Sequence, residues 1–150
     1  MKQLAWRTDQ RLRLTAAYQS ELLTLRLQTE GCHLTFNETS NGIMTSLQAG
    51  YTFGKSWKVY ASGAYFNTDD YDSRLYTYER GMLNSFGYSA YYGKGMRLAL
   101  MLRADLSEHL MVAAKAGHTH YFDRENIGTA ERTIYSCHQT DIDVQVRMKF

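Results

Sequence analysis

The chain lacks proline entirely, has only two cysteines, and contains no apolar run long enough to be a membrane-crossing helix. Its longest apolar stretches, 98–102 and 110–114, lie between Arg97 and Arg103 and between His109 and Lys115. A spanning helix needs about 20 such residues, so a helical membrane protein is excluded. Basic clustering is missing as well. The net charge of +2 arises from 17 basic and 15 acidic residues spread along the chain, which gives no reason to expect a nucleic-acid partner. The first residues, Met1 to Arg7, carry no apolar signal core, so either the protein is not exported or its signal was removed or lies on a longer precursor.

What is present points to strands. The 150 residues suffice for one domain with a core that needs neither disulfides nor a metal, and the whole chain is expected to be a single domain. With 44% hydrophobic and 21% charged residues, disorder is not indicated. Twelve tyrosines and 11 glycines suit a β protein with aromatic belts.

Strict alternation is the dominant signal. Ile142, Val144, Val146, Met148 and Phe150 share one face, with Asp141, Asp143, Gln145, Arg147 and Lys149 on the other. Met96, Leu98, Leu100, Leu102 and Leu106 oppose Arg97, Arg103 and Asp105, and Leu110, Val112, Ala114, Ala116 and Phe122 oppose Lys115, Gly117, Thr119, Tyr121 and Asp123. Upstream, Leu12, Leu14, Ala16 and Tyr18 lead through Ser20-Glu21 to Leu23, Leu25 and Leu27. Ile43, Leu47, Ala49, Tyr51 and Phe53 lead through Gly54-Lys55-Ser56 to Trp57, Val59, Ala61 and Tyr65. Tight turns therefore fall near 20, 55 and 108, while 37–42, parts of 67–95, and 124–139 read as long polar loops. Short turns on one rim and long loops on the other are the pattern of an outer-membrane barrel.

Alternation alone does not say which face is inside. A soluble barrel buries its apolar face, and a membrane barrel turns that face to lipid. The other face mixes Gly, Ala, Thr, Ser and Gln with charges of both signs, as at Met44, Ser46, Gln48, Gly50 and Thr52, which suits a wet or salt-bridged lumen. Trp6, Tyr18, Phe36, Tyr51, Phe53, Trp57, Tyr65, Phe122 and Phe150 would form two interfacial girdles.

The ending VRMKF at 146–150, with Val144 before it, resembles the assembly signal of bacterial outer-membrane barrels, whose terminal strand is recognised by the barrel-assembly machinery. Val144, Val146, Met148 and Phe150 would carry it. With FNTDDYDSRLY at 66–76, YYGKG at 91–95 and THYFDRENIGT at 119–129, residues 42–150 resemble the C-terminal barrel region of a Bacteroidota outer-membrane family, some members of which bear an N-terminal helix-hairpin-helix domain. The resemblance implies an architecture and no activity.

Counted back from the C-terminus, strands fall at 139–150, 109–122, 95–106, 57–70, 42–54, 22–36 and 2–19. Single-chain bacterial barrels normally have an even number. The expectation is an all-β, antiparallel up-and-down transmembrane barrel of about eight strands, with 2–19 folding at Asp9-Gln10 or 73–92 adding strands, or else the C-terminal part of a larger barrel.

Chemistry-bearing groups are few. Cys32-His33, Cys137-His138 and His118-Thr119-His120 match no compact zinc spacing, so no metal site is expected, and His118 and His120 read as outward-facing interfacial residues. A Cys32–Cys137 disulfide, allowed in an oxidising envelope, stays open. Asp69-Asp70-Tyr71-Asp72 lacks the spacing of a calcium loop and reads as solvated. Arg97, Arg103, Asp105, Lys115, Asp141, Asp143 and Arg147 are expected to form a charge network in the lumen. With no nucleophile elbow, phosphate loop or paired catalytic carboxylates, neither catalytic residues nor a cofactor is expected. The leading reading is a noncatalytic outer-membrane barrel of a Gram-negative bacterium, acting as an anchor, small channel or surface-binding protein, with outer-membrane lipids around it. The alternatives are a soluble β-barrel or sandwich binding an apolar ligand, and a small outer-membrane enzyme working at the loop rim.

Overall fold

The computed structural model describes residues 6–36, 38–82, 88–128 and 133–150, and the regular structure among them is strand alone. The strands are β1 (Thr8–Gln19), β2 (Leu23–Phe36), β3 (Glu38–Phe53), β4 (Trp57–Thr68), β5 (Leu75–Tyr78), β6 (Tyr88–Tyr91), β7 (Lys94–Asp105), β8 (Leu110–Tyr121) and β9 (His138–Met148). Seven of them form one antiparallel meander in the order β1-β2-β3-β4-β7-β8-β9, and β5 and β6 pair separately.

The tight turns sit where expected. The Leu23 amide donates to Ser20 Oγ at 3.0 Å, and the Leu110 amide to Ser107 Oγ at 3.1 Å, so a serine hydroxyl closes each hairpin. Gly54 opens the third turn at φ 60°, in the left-handed region that glycine enters without strain.

Several expectations change. The stretch 37–42 is not a long loop: β3 starts at Glu38, and its ladder with β2 runs to the pair Phe36–Glu38. Residue 37 itself lies outside the described residues. The first strand does not fold at Asp9-Gln10, because its ladder with β2 continues without a break from Thr8–Thr35 to Gln19–Thr24. Residues 2–5 of that expected strand lie outside the described residues. The stretch 73–92 does supply two strands, but they form their own hairpin and leave the main sheet at seven. That sheet is not closed: among the described residues β1 bonds only to β2 and β9 only to β8. With an odd count, β1 and β9 also run in the same direction.

The two faces divide as the alternation demands. On one face Leu12, Leu47, Leu98, Leu100, Ile142 and Val144 stand exposed, Leu100 at 55% and Val144 at 69%. On the other, Gln28, Glu30, Met44, Ser46, Phe66, Lys115 and Thr119 are buried, and the β5–β6 hairpin lies on that side, with Leu75 and Tyr91 against Met44 and Phe66. Cys32, Met44, Phe66, Leu75, Tyr91, Tyr121 and Ile127 join in one buried cluster. Strands as distant in the sheet as β2 and β8 thus meet the same hairpin, which requires the sheet to curve around it. Ser46 Oγ lies 3.2 Å from Thr77 Oγ1, and Gln48 donates to the Tyr78 carbonyl, pinning β5 to β3.

The exposed aromatics gather at the two ends of the strands. Tyr18, Tyr51, Phe53, Trp57 and Phe150 lie toward the rim of tight turns, and Trp6, Tyr65 and Phe122 toward the other. The side chain of Phe36, also expected in a girdle, lies outside the described residues.

Candidate functional site

The concave face holds a compact charge cluster. Arg97 projects from β7 and Lys115 from the neighbouring strand β8, and both reach Glu79, one residue past β5. Arg97 Nε lies 2.6 Å from Glu79 Oε2, Lys115 Nζ 2.5 Å from Glu79 Oε1, and Arg97 Nη1 2.7 Å from Asp141 Oδ1 on β9. Arg97 also donates to Thr119 Oγ1 at 2.9 Å. Two cations and two carboxylates balance formally, and Arg97, Lys115 and Glu79 are each about nine-tenths buried. Burial of charge is tolerated only with this kind of pairing, because an isolated ion out of water costs several kcal/mol or more.

Gly117 makes room for that arrangement. It lies between Ala99 of β7 and Asp141 of β9 in the ladder, and a Cβ there would run into the Arg97 guanidinium and stand 2.6 Å from Asp141 Oδ2.

The remaining expected network residues separate from this cluster. Arg103 and Asp105 bond to each other at 2.9 Å, half-buried near the turn rim. Asp143 and Arg147 share the polar face of β9, exposed, and have no ion pair among the described residues. Glu79 is the member that the sequence did not reveal. Leu75, Thr77 and Glu79 do alternate with Tyr76, Tyr78 and Arg80, but the cations they meet are far along the chain.

Toward the tight turns the hairpin leaves a cavity of about 280 Å³ bordered by Thr24, Arg26, Gln48, Tyr60, Arg80 and Lys115. Arg80 stacks over the Tyr60 ring at 4.2 Å and helps bound it.

The acidic stretch 69–72 is an exposed loop, as expected, and it also acts as a lock. Asp70 Oδ1 accepts from Ser40 Oγ at 2.7 Å and from the amides of Asp72 and Ser73 at 2.9 and 3.0 Å. Donation from the Ser40 hydroxyl holds the Asp70 carboxyl below its usual range, assisted by those amides against the opposing cost of desolvation. Asp69 Oδ2 accepts from the Asn41 amide at 2.8 Å. The carboxylates thus serve to join the β4–β5 connection to β3. Nearby, Arg124 pairs with Asp123 at 3.0 Å, lies over the rings of Tyr121 and Tyr92, and lowers the Asp123 pKa.

Both cysteines are free thiols. Cys32 is buried, and its Sγ donates to the Ser73 carbonyl at 3.2 Å, so it packs the hairpin against β2. Cys137 lies at the loop rim, where the β8–β9 register pairs His120 with His138. The Nδ1 atoms of those two histidines are 2.9 Å apart, with their rings stacked at 4.3 Å. His118 Nδ1 lies 2.9 Å from Thr140 Oγ1, and His33 Nδ1 lies 2.7 Å from Asn41 Oδ1 on β3.

Compared with protein-family models, with curated proteins and with solved structures, the chain matches none.

Proposed function

We propose that the chain is a noncatalytic outer-membrane β-barrel protein of a Gram-negative, Bacteroidota-like bacterium, serving as an anchor or surface-binding protein. One observation carries this reading: apolar side chains stand exposed on the convex face of the sheet while paired charges are buried on the concave one. Water would penalise that inverted arrangement, and lipid outside a polar lumen would reward it. Strand lengths of 11–16 residues suffice to cross a bilayer, since a tilted strand needs about 9–11. The aromatic side chains near both strand ends suit the two interfaces.

An anchor or surface-binding role fits better than an open channel, because the β5–β6 hairpin and its ion pairs cross the interior. In hydrocarbon the unpaired edges of β1 and β9 need partners. Since the two run in the same direction, an antiparallel seal takes an odd number of further strands, which favours the C-terminal part of a larger barrel. Lipids and the barrel-assembly machinery are the partners this reading implies.

The test is extraction of the expressed chain with and without detergent, followed by gel electrophoresis of boiled and unboiled samples. The expected outcome is detergent dependence, with heat-modifiable migration where the edges of β1 and β9 are sealed by further strands or by a second copy, since a sealed barrel resists unfolding in detergent. A monodisperse monomer in plain buffer would overturn the reading.

A further inference from the structure

We propose that His120, Cys137 and His138 form a zinc(II) site at the loop rim, clamping the start of β9 to the end of β8. One ligand atom from each of the three lies within 4.8 Å of the others. Two imidazole nitrogens and one thiolate, with no carboxylate, are a borderline-soft set that suits zinc and not calcium or magnesium.

The backbone already holds the donors in place. The ladder sets His120 opposite His138, the Tyr121 amide donates to the Cys137 carbonyl at 2.9 Å, and the His138 amide donates to Ser136 Oγ at 3.0 Å. In the metal-free state the two Nδ1 atoms at 2.9 Å share a single proton, one ring donating and the other accepting. Zinc takes the place of that proton. With bonds of about 2.0–2.1 Å, tetrahedral zinc needs its two nitrogens roughly 3.3 Å apart, so the nitrogens separate by about 0.4 Å, the stacked rings turn until both in-plane lone pairs face the metal, and the Cys137 thiolate closes in from within 4.8 Å.

The balance is simple. The ring that carried hydrogen on Nδ1 shifts it to Nε2, the Cys137 thiol releases one proton, and a water completes the four ligands. The half-exposed rim leaves that fourth position open to solvent. No residue of the buried charge cluster takes part, so this site stands apart from the reading of the chain as a membrane barrel.

The experiment uses the full chain, free of any histidine tag, folded in detergent and reduced. Zinc is titrated against a competing chelator, and cobalt(II) serves as the optical probe. The expected result is one equivalent of zinc bound, a higher melting temperature in its presence, and a thiolate-to-cobalt charge-transfer band in the near ultraviolet. His120→Ala and His138→Ala should weaken zinc binding by at least the roughly 10–100-fold that even outer-sphere changes cause. Cys137→Ser should abolish the cobalt band, whereas Cys32→Ser and His33→Ala should retain it. The cobalt spectrum of the unaltered chain reads out the thiolate even if a variant fails to fold. Absence of stoichiometric zinc binding would overturn the proposal, as would a cobalt complex without the thiolate band, or tight binding that survives His138→Ala.

Discussion

Glu79 and Arg97 meet as two forks: Nε faces Oε2, and Nη2 lies 3.0 Å from Oε1, the same oxygen that takes the Lys115 ammonium. One carboxylate therefore bridges two buried cations from adjacent strands, and Asp141 supplies the second negative charge that balances them. Glu79→Ala should cost about 3–5 kcal/mol, the penalty for stranding buried charge. Denaturant unfolding in lipid vesicles measures the loss, and proteolysis within 75–91 reports whether the hairpin has detached. A change below 1 kcal/mol would mean that the interior is wetter than its burial implies.

The exposed face should tolerate charge poorly. Leu100→Arg or Val144→Arg should cost ~2–4 kcal/mol in a bilayer if the site is near the midplane, whereas Gln145→Arg, on the concave face of β9, should be milder. Equal effects on both faces, measured by reversible unfolding in vesicles, would contradict the assignment of lipid and lumen sides.

The Asp70 lock makes the loop rim sensitive to acid. The folded-state pKa of Asp70 is depressed, so its contribution is complete above the ordinary carboxylate range and disappears as pH falls through the depressed value. Protection of the Asp72 and Ser73 amides against exchange, taken relative to the intrinsic rate at each pH, should fall in that acid window. In Ser40→Ala the Asp70 titration should move up toward its ordinary range, because the first of its donors is gone. A titration unchanged by Ser40→Ala, followed by carbon NMR of the carboxyl group, would remove the hydroxyl as the cause.

The last strand tests assembly. Val144, Val146, Met148 and Phe150 present one apolar row, and the Lys149 amide bonds the His109 carbonyl at 2.9 Å, tying the end of the chain to the β7–β8 turn. Removal of 139–150 should prevent folding, while deletion of Phe150 alone should reduce assembly in cells more than refolding in detergent. If the chain without 139–150 still reached a protease-resistant state, the proposed barrel would have to be abandoned.

What the sequence made legible follows from where apolar side chains alternate. The seven strands of the meander and their serine- and glycine-closed turns each carry an apolar row at a period of two. Glu38, Thr39, Ser40 and Asn41 extend β3 beyond that row, so the ladder continues where the hydropathy signal has ended. The β5–β6 hairpin is four residues a side and sits inside the curved sheet, with no uniformly apolar face to mark it. Glu79 meets Arg97 and Lys115 across 18 and 36 positions, and His120 meets His138 across 18. Such pairings depend on strand register, which local spacing does not encode.

The odd number of strands has a consequence for sidedness. The chain enters β1 at the rim of loops and leaves β9 at the rim of tight turns, so in a bilayer its two flanks would face different compartments. Any upstream segment that began on the same side as Phe150 would have to traverse the membrane before reaching Thr8. One such traverse, laid beside β1, would run opposite to it and supply the hydrogen-bonding partner that its outer edge lacks. Bringing both flanks to one side and sealing the polar edge are therefore a single topological requirement.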